Sequence, residues 1–295
     1  MVNRQKPNVA PLVVIVGVTA SGKSALAMDI AKKCHGEIIC ADSRTVYRGM
    51  DIGTAKPSLA DQSLVAHHAI DLINPDQTFT AADFKTIASG LMDDVTSRHR
   101  LPIIVGGTGL YVDGLIFDFA FLPSADAEER EYLQALSVLE LQHKIAKLGI
   151  NMPVNSQNPR HLIRAIETNG AVPVRKDLRQ NTLVLGIDIA RDVAIDRISN
   201  RVDAMIEAGL ETEVRSLSSL YGWQAPGMSA VGYQEWRQYF EDDSVDFDVV
   251  VSNIKRNTIQ YARRQRTWFR RNKSIIWVTN MAEVDVLVNS FLQNQ

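Results

Sequence analysis

Apolar positions along this chain follow two rhythms that alternate. Short runs rich in β-branched residues, at 12–16, 37–40, 102–105, 182–189 and 274–278, have the length and composition of buried strands. Between them, residues 24–34, 81–98, 192–220 and 249–271 place apolar side chains at helical spacing, and Thr80 with Asp83 has the spacing of a capping box. Such alternation predicts an α/β fold with a parallel, doubly wound sheet whose ligands gather at the carboxyl ends of the strands. The alternation stops at residues 122–181, where helical patterns at 126–148 and 159–168, the second ended by Gly170 and Pro173, give no convincing strand. The expected organisation is a core of residues 1–121 and 182–295, carrying a basic C-terminal helix and interrupted by a helical insertion domain at 122–181.

The first strand-to-helix junction carries the most specific chemistry. Gly17, Val18, Thr19, Ala20, Ser21, Gly22, Lys23 and Ser24 form a G-x-x-x-x-G-K-S loop. Glycines there let backbone N–H groups close around phosphate oxygens, the helix N-terminus adds positive potential, Lys23 neutralises charge and the Ser24 hydroxyl suits Mg²⁺. The fold class is therefore P-loop NTPase-like. The loop does not name a reaction, since ATPases, GTPases, kinases and enzymes that expel pyrophosphate all use it.

The second strand delivers a polar, glycine-punctuated segment beginning Ala41-Asp42-Ser43-Arg44-Thr45. A second strand is expected to lie beside the first, which puts the Asp42 carboxylate near the phosphate loop, as a general base, as a helper to Mg²⁺ through water, or as a cap of the next segment. A third candidate loop, Gly106-Gly107-Thr108-Gly109, reaches the same edge and offers close backbone approach and one hydroxyl.

Charge sharpens the picture. The chain carries a net −2, yet residues 249–282 hold no acid and eight bases: Lys255, Arg256, Arg263, Arg264, Arg266, Arg270, Arg271 and Lys273. An acidic protein with one basic block points to a local anionic partner, or to a merely solvated helix face. Arg256, Arg263 and Arg270 recur every seven residues, and Ile254, Tyr261 and Trp268 form an offset stripe that reads as packing. Two cysteines, Cys34 and Cys40, without a metal-type cluster, and no apolar run of membrane length, lead us to expect a cytoplasmic protein with no membrane association that acts as a monomer. His67 and His68 lack partners at metal spacing and read as structural.

The strings GVTASGKS, ADSRTVYRGMDIGTAKP, HHAIDLINP, TAADF, VGGTGLY, LPSAD, NPRHLIRAIE, RISNRVDAMIEAGLETEV, SAVGY and QYARRQRTWFRR occur in that order from Gly17 to about Arg271. Together they resemble the bacterial tRNA dimethylallyltransferases. The resemblance implies transfer of a dimethylallyl group from dimethylallyl pyrophosphate to the exocyclic N6 amine of the adenosine 3′-adjacent to a tRNA anticodon. By that likeness Gly17, Thr19, Ala20, Ser21, Gly22, Lys23, Ser24 and Arg201 bind pyrophosphate, Thr19 lies near its bridging oxygen, Ser24 holds Mg²⁺ and Asp42 is the base; Asp42, Thr19 and Arg201 form the catalytic set. Carried over as contacts to the tRNA anticodon stem-loop are Asp42, Ser43, Arg44, Thr45, Thr108, Arg130, Arg160, His161, Leu162, Ile163 and Arg164. So are Ser229, Ala230, Val231, Gly232, Tyr233, Gln234, Arg263, Arg264, Gln265, Arg266, Thr267, Trp268, Phe269 and Arg270. The chain departs from the family pattern at Val18, Thr45, His161 and Gln234, where Pro, Gln, Arg and a base are usual. A nucleotide-type kinase and a non-catalytic RNA-binding protein are the rival readings. The basic block and the Arg264-to-Trp268 string oppose the first, and Lys23, Ser24, Asp42 and Arg201 oppose the second.

Overall fold

A computed structural model describes residues 9–122, 127–242 and 244–293; Pro123 to Asp126, part of the LPSAD string, lie outside the described residues. Two compact units form, one from Met1–Ile116 with Leu178–Gln295 and one from Phe117–Asp177. In chain order the elements are β1 (Leu12–Gly17), α1 (Lys23–Cys34), β2 (Gly36–Cys40), α2 (Leu59–Leu64), β3 (His67–His68), α3 (Ala81–Ser97), β4 (Leu101–Gly106) and α4 (Gly109–Ile116). The smaller unit then contributes α5 (Ala127–Ala135), α6 (Val138–Lys147) and α7 (Pro159–Glu167). The larger resumes with β5 (Thr182–Ile187), α8 (Arg191–Glu207), α9 (Leu210–Tyr221), a 3₁₀ turn (Pro226–Ser229), α10 (Trp236–Glu241), α11 (Phe247–Phe269), β6 (Ile276–Val278) and α12 (Met281–Gln293).

All strand pairs are parallel, in the order β3-β2-β4-β1-β5-β6. Contrary to the expectation from the sequence, β2 is not beside β1; β4 lies between them and brings its glycine loop to the middle of the edge. Strand side chains alternate between faces. Val13, Ile15, Ile38, Ile103 and Leu185 pack with Leu26 and Ile30 of α1 and Val284 and Val288 of α12. The intervening Val14, Ile39, Ile104 and Val184 are equally buried and belong to the other face, against which α3, α4 and α11 contact the strands. A second apolar cluster, including Val46, Met50, Ile198, Val202, Val214, Trp236 and Ile254, lies under the loops at the sheet edge.

Several expected elements are shorter, each for a local reason. The strand-like residues after His68 cannot extend β3, because Ala69 and Asp71 adopt positive φ of 59° and 53°. The helix expected at 192–220 is broken at Gly209, whose φ of 96° ends α8 and starts α9. In the smaller unit Ser137 interrupts residues 126–148, its hydroxyl and the Glu140 carboxylate forming a reciprocal cap for α6. Leu133, Leu141, Ile145, Leu162, Ile163 and Ile166 make that unit's own core.

The junction of β2 and β4 is tight. Ala41 N–H donates to the Val105 carbonyl at 2.7 Å, and a Cβ on Gly106 would lie 2.0 Å from the Ala41 carbonyl oxygen. Gly106→Ala therefore forces the two strand ends apart. The expected loss is about 1–3 kcal/mol, read as a lower urea midpoint; an unchanged midpoint would show that the backbone yields without cost.

Candidate active site

The loop after β1 is closed by its own contacts. Ser21 N–H donates to the Val18 carbonyl at 3.2 Å, Gly22 caps α1 with φ 96°, and Ala20 is held at φ 60°. A non-glycine residue in that region is strained, and such strain gathers where a ligand is clamped. Gly17 must lack a side chain, because its Cβ would meet Ser21 Oγ at 2.7 Å. That hydroxyl is buried and finds no hydrogen-bond partner among the described residues, while Ser24 stands exposed in the first turn of α1.

Two cations converge on the loop. Lys23 Nζ lies 3.5 Å from the Val18 carbonyl, and Arg201 of α8 donates to Thr19 Oγ1 at 3.4 Å. Burial and then the neighbouring Arg201 depress the lysine to about 8, with Asp42 opposing them. Arg201 is likewise lowered by burial and supported by Asp42. One turn earlier on α8, Arg197 donates to the Ser21 carbonyl at 3.3 Å. Asp42 thus stands within electrostatic reach of both cations, although its strand is not adjacent to β1.

The Asp42 segment is tied down on three sides. Asp42 Oδ1 accepts Arg44 N–H at 2.8 Å, and Ser43 N–H donates to Thr108 Oγ1 at 3.0 Å. Arg44 donates to the Pro226 carbonyl at 3.2 Å and to Ser229 Oγ at 3.3 Å. Glu213 of α9 accepts the N–H groups of Asp51, Ile52 and Gly53 at 2.8–3.1 Å, and Tyr233 donates its phenol to the same carboxylate at 2.6 Å.

The expected RNA contacts separate into surface groups and supports. Arg263, Arg264 and Thr267 are exposed on α11, and no acid among the described residues pairs with either arginine. Arg270 instead pairs with Asp188 at 2.6 Å and lies 4.4 Å from the Trp277 ring, and Arg266 donates to the Ile189 carbonyl at 2.6 Å. Ser229 and Gln234 are exposed, Val231 is half-buried, and Gly232 N–H is held by Glu235 at 2.8 Å. In the smaller unit Arg160 and His161 are exposed, whereas Arg130 and Arg164 pair with the buried Glu167 carboxylate at 3.3 and 3.0 Å.

Seven of the assigned side chains need correction. Thr45, Leu162, Ile163, Ala230, Tyr233, Gln265 and Phe269 are buried, so each supports the surface from within instead of presenting its side chain to RNA. Trp268 is half-buried, covers Gly109 and donates to Asp113 at 2.8 Å. His68 is bound to Glu37 at 2.7 Å and His67 to the Val65 carbonyl at 2.8 Å. Sequence reasoning missed Arg197, Glu213 and Tyr261. Only Arg197 left a local signal, being four residues before Arg201 and hence on the same helical face.

The family model described as IPP transferase matches residues 45–272. A tRNA dimethylallyltransferase of Bacillus velezensis is 36% identical over 292 residues, covering 94% of this chain and 93% of the relative. One from Macrococcus caseolyticus is 35% identical over 304 residues, covering 97% and 96%. The crystal structure of the full-length tRNA isopentenylpyrophosphate transferase from Bacillus halodurans aligns with a TM-score of 0.76 at 35% identity, covering 96% of this chain and 97% of that one. No described helix is long and apolar enough to cross a membrane. Because the family model matches well over half of the chain and these relatives, at 35–36% identity, cover nearly all of it, the chain belongs to the IPP transferase family.

Proposed function

We propose that this chain transfers a dimethylallyl group from dimethylallyl pyrophosphate to N6 of the adenosine 3′-adjacent to the anticodon in tRNA, releasing pyrophosphate, in the cytoplasm. The observation that carries the reading is the placement of one carboxylate, Asp42, against two desolvated cations at a P-loop. In the reaction the N6 lone pair attacks the allylic carbon, the carbon–oxygen bond breaks with its electrons passing to pyrophosphate, and the N6 proton passes to Asp42. Lys23, Arg201 and the loop N–H groups favour the charge growing on the departing oxygen more than they favour the intact ester. The target base must leave its stack to reach this edge, and the exposed Arg263 and Arg264 suit the phosphates of the loop that is held open.

Mg²⁺ fits the same loop. The described residues contain no group of three or more His, Cys, Asp or Glu side chains able to hold a metal, and none is required. The Ser24 hydroxyl, exposed in the first turn of α1, would hold the cation together with the pyrophosphate. When bound, it neutralises charge on pyrophosphate.

Three outcomes follow from these roles. With Mg²⁺, radiolabelled dimethylallyl pyrophosphate and unmodified tRNA, wild type should label the RNA, and Asp42→Ala should lose about two to four decades of turnover with tRNA affinity changed far less; near-normal turnover would remove Asp42 from the chemistry. In the empty loop Lys23 gives up its proton near pH 8. Bound pyrophosphate raises that pKa, so affinity should be full below pH 8 and fall as pH climbs above it. Calorimetry of pyrophosphate binding across that range should show the alkaline fall in wild type and lack it in Lys23→Met; identical profiles would contradict the assignment. Replacing Arg263 and Arg264 by Ala should weaken tRNA binding and reduce the slope of log K against log salt by about 1 per lost phosphate contact, and an unchanged slope would leave both arginines as solvated surface.

A further inference from the structure

Gln265 joins three loops that the chemistry must keep in register. Its side chain is 5% exposed, although its neighbours Arg263 and Arg264 on α11 face solvent. Oε1 accepts the Thr19 N–H of the phosphate loop at 2.8 Å, and Nε2 donates to the Gly107 carbonyl of the loop after β4 at 3.0 Å. The amide orientation is fixed by its partners, since a backbone N–H only donates and a carbonyl only accepts. The approach is close enough that a Cβ on Gly107 would lie 2.2 Å from Nε2. One turn earlier on the helix, Tyr261 interacts with both Gln265 and Thr108, burial pushing its phenol up to about 12 so that it keeps its proton. Thr108 in turn holds Ser43 N–H, next to Asp42. A bonded path therefore runs from Thr19 through Gln265 to Gly107, and from its neighbour Thr108 to Ser43 beside Asp42, with the Tyr261 hydroxyl alongside it.

Glutamine is the side chain this position requires. A carboxylate would keep the bond to Thr19 but set charge against the Gly107 carbonyl, and an apolar side chain of the same length would strand a buried N–H and a buried carbonyl. The Thr19 N–H is also taken out of the set that faces phosphate, so the shape of the loop's first turn is set by α11.

We propose that Gln265 is a positioning residue that couples the phosphate loop to the Asp42 segment, so that RNA seated on α11 and pyrophosphate in the loop strengthen each other's binding. Coupling of this kind is reciprocal. The inference rests on the prenyl-transfer reading only in taking the second ligand to be RNA.

The test measures binding of inorganic pyrophosphate by calorimetry, in Mg²⁺, with and without a saturating unmodified anticodon stem-loop whose anticodon is followed by adenosine. In wild type the RNA should tighten pyrophosphate binding about fivefold or more, a typical coupling, and pyrophosphate should tighten RNA binding by the same factor. Gln265→Met should bring that factor close to one while leaving RNA affinity without pyrophosphate within about twofold. Tyr261→Phe, which keeps the packing and removes the hydroxyl alongside the path, should reduce the factor partway and remains informative if Gln265→Met does not fold. Absence of coupling in wild type overturns the proposal, as does full coupling in both variants. So does loss of RNA affinity in Gln265→Met without pyrophosphate, which would make the residue an RNA contact. Coupling without any prenyl transfer would instead overturn the proposed reaction and leave the role of Gln265 standing.

Discussion

Lys23 and Arg201 are two like charges drawn out of water onto one loop, and the arrangement of the larger unit's strand ends answers that cost. Isolated, the lysine would give up its proton and the arginine, which keeps its charge, would turn back to solvent. Asp42 opposes the shift in both, but one carboxylate shared between two cations leaves a net positive site. The remainder is a standing attraction for a polyanion. A polyanion bound there would relieve the repulsion between the two side chains.

Bringing a carboxylate from a non-adjacent strand to that pair requires close packing of backbones. β4 occupies the gap between β1 and β2, and its terminal glycines let the three loops meet: Gly106 against Ala41, Gly107 against Gln265 and Gly109 under Trp268. The distal end of the Asp42 segment is gathered by Glu213, which satisfies three consecutive N–H groups and receives the Tyr233 phenol. The half-buried Glu213 carboxylate is thereby surrounded by hydrogen-bond donors. Those bonds also convert a long glycine-punctuated loop into a fixed platform for Asp42.

Much of this was legible in the sequence because it is local. The P-loop needs eight consecutive residues, the alternation of apolar runs gives the parallel sheet, and the capping pair Thr80–Asp83 starts α3 where expected. Gln265 was assigned to the wrong surface because its partners lie 246 and 158 residues away, and nothing in a helical spacing distinguishes an amide facing inward from one facing RNA. Leu162, Ile163, Tyr233 and Phe269 were misread for a related reason. Family strings mix residues that touch a ligand with residues that hold the touching ones in place, and only burial separates them. The neighbour of β1 was misplaced because strand order is a property of crossovers, not of sequence order.

The basic block of α11 shows how one helix divides its charges. A seven-residue repeat drifts only about 20° per repeat around the helix, so Arg256, Arg263 and Arg270 share one face, and all three are exposed. At the helix end Arg270 is drawn to Asp188 and the Trp277 ring, and Arg266 to the Ile189 carbonyl, both at the end of β5. These two anchor the helix over the sheet. Arg263 and Arg264, between the half-buried Tyr261 and the buried Gln265, find neither an acid partner nor a carbonyl among the described residues. The charges that fasten the helix are therefore distinct from the exposed pair, and the inward amide of Gln265, next in the chain to Arg264, is the group that meets the phosphate loop.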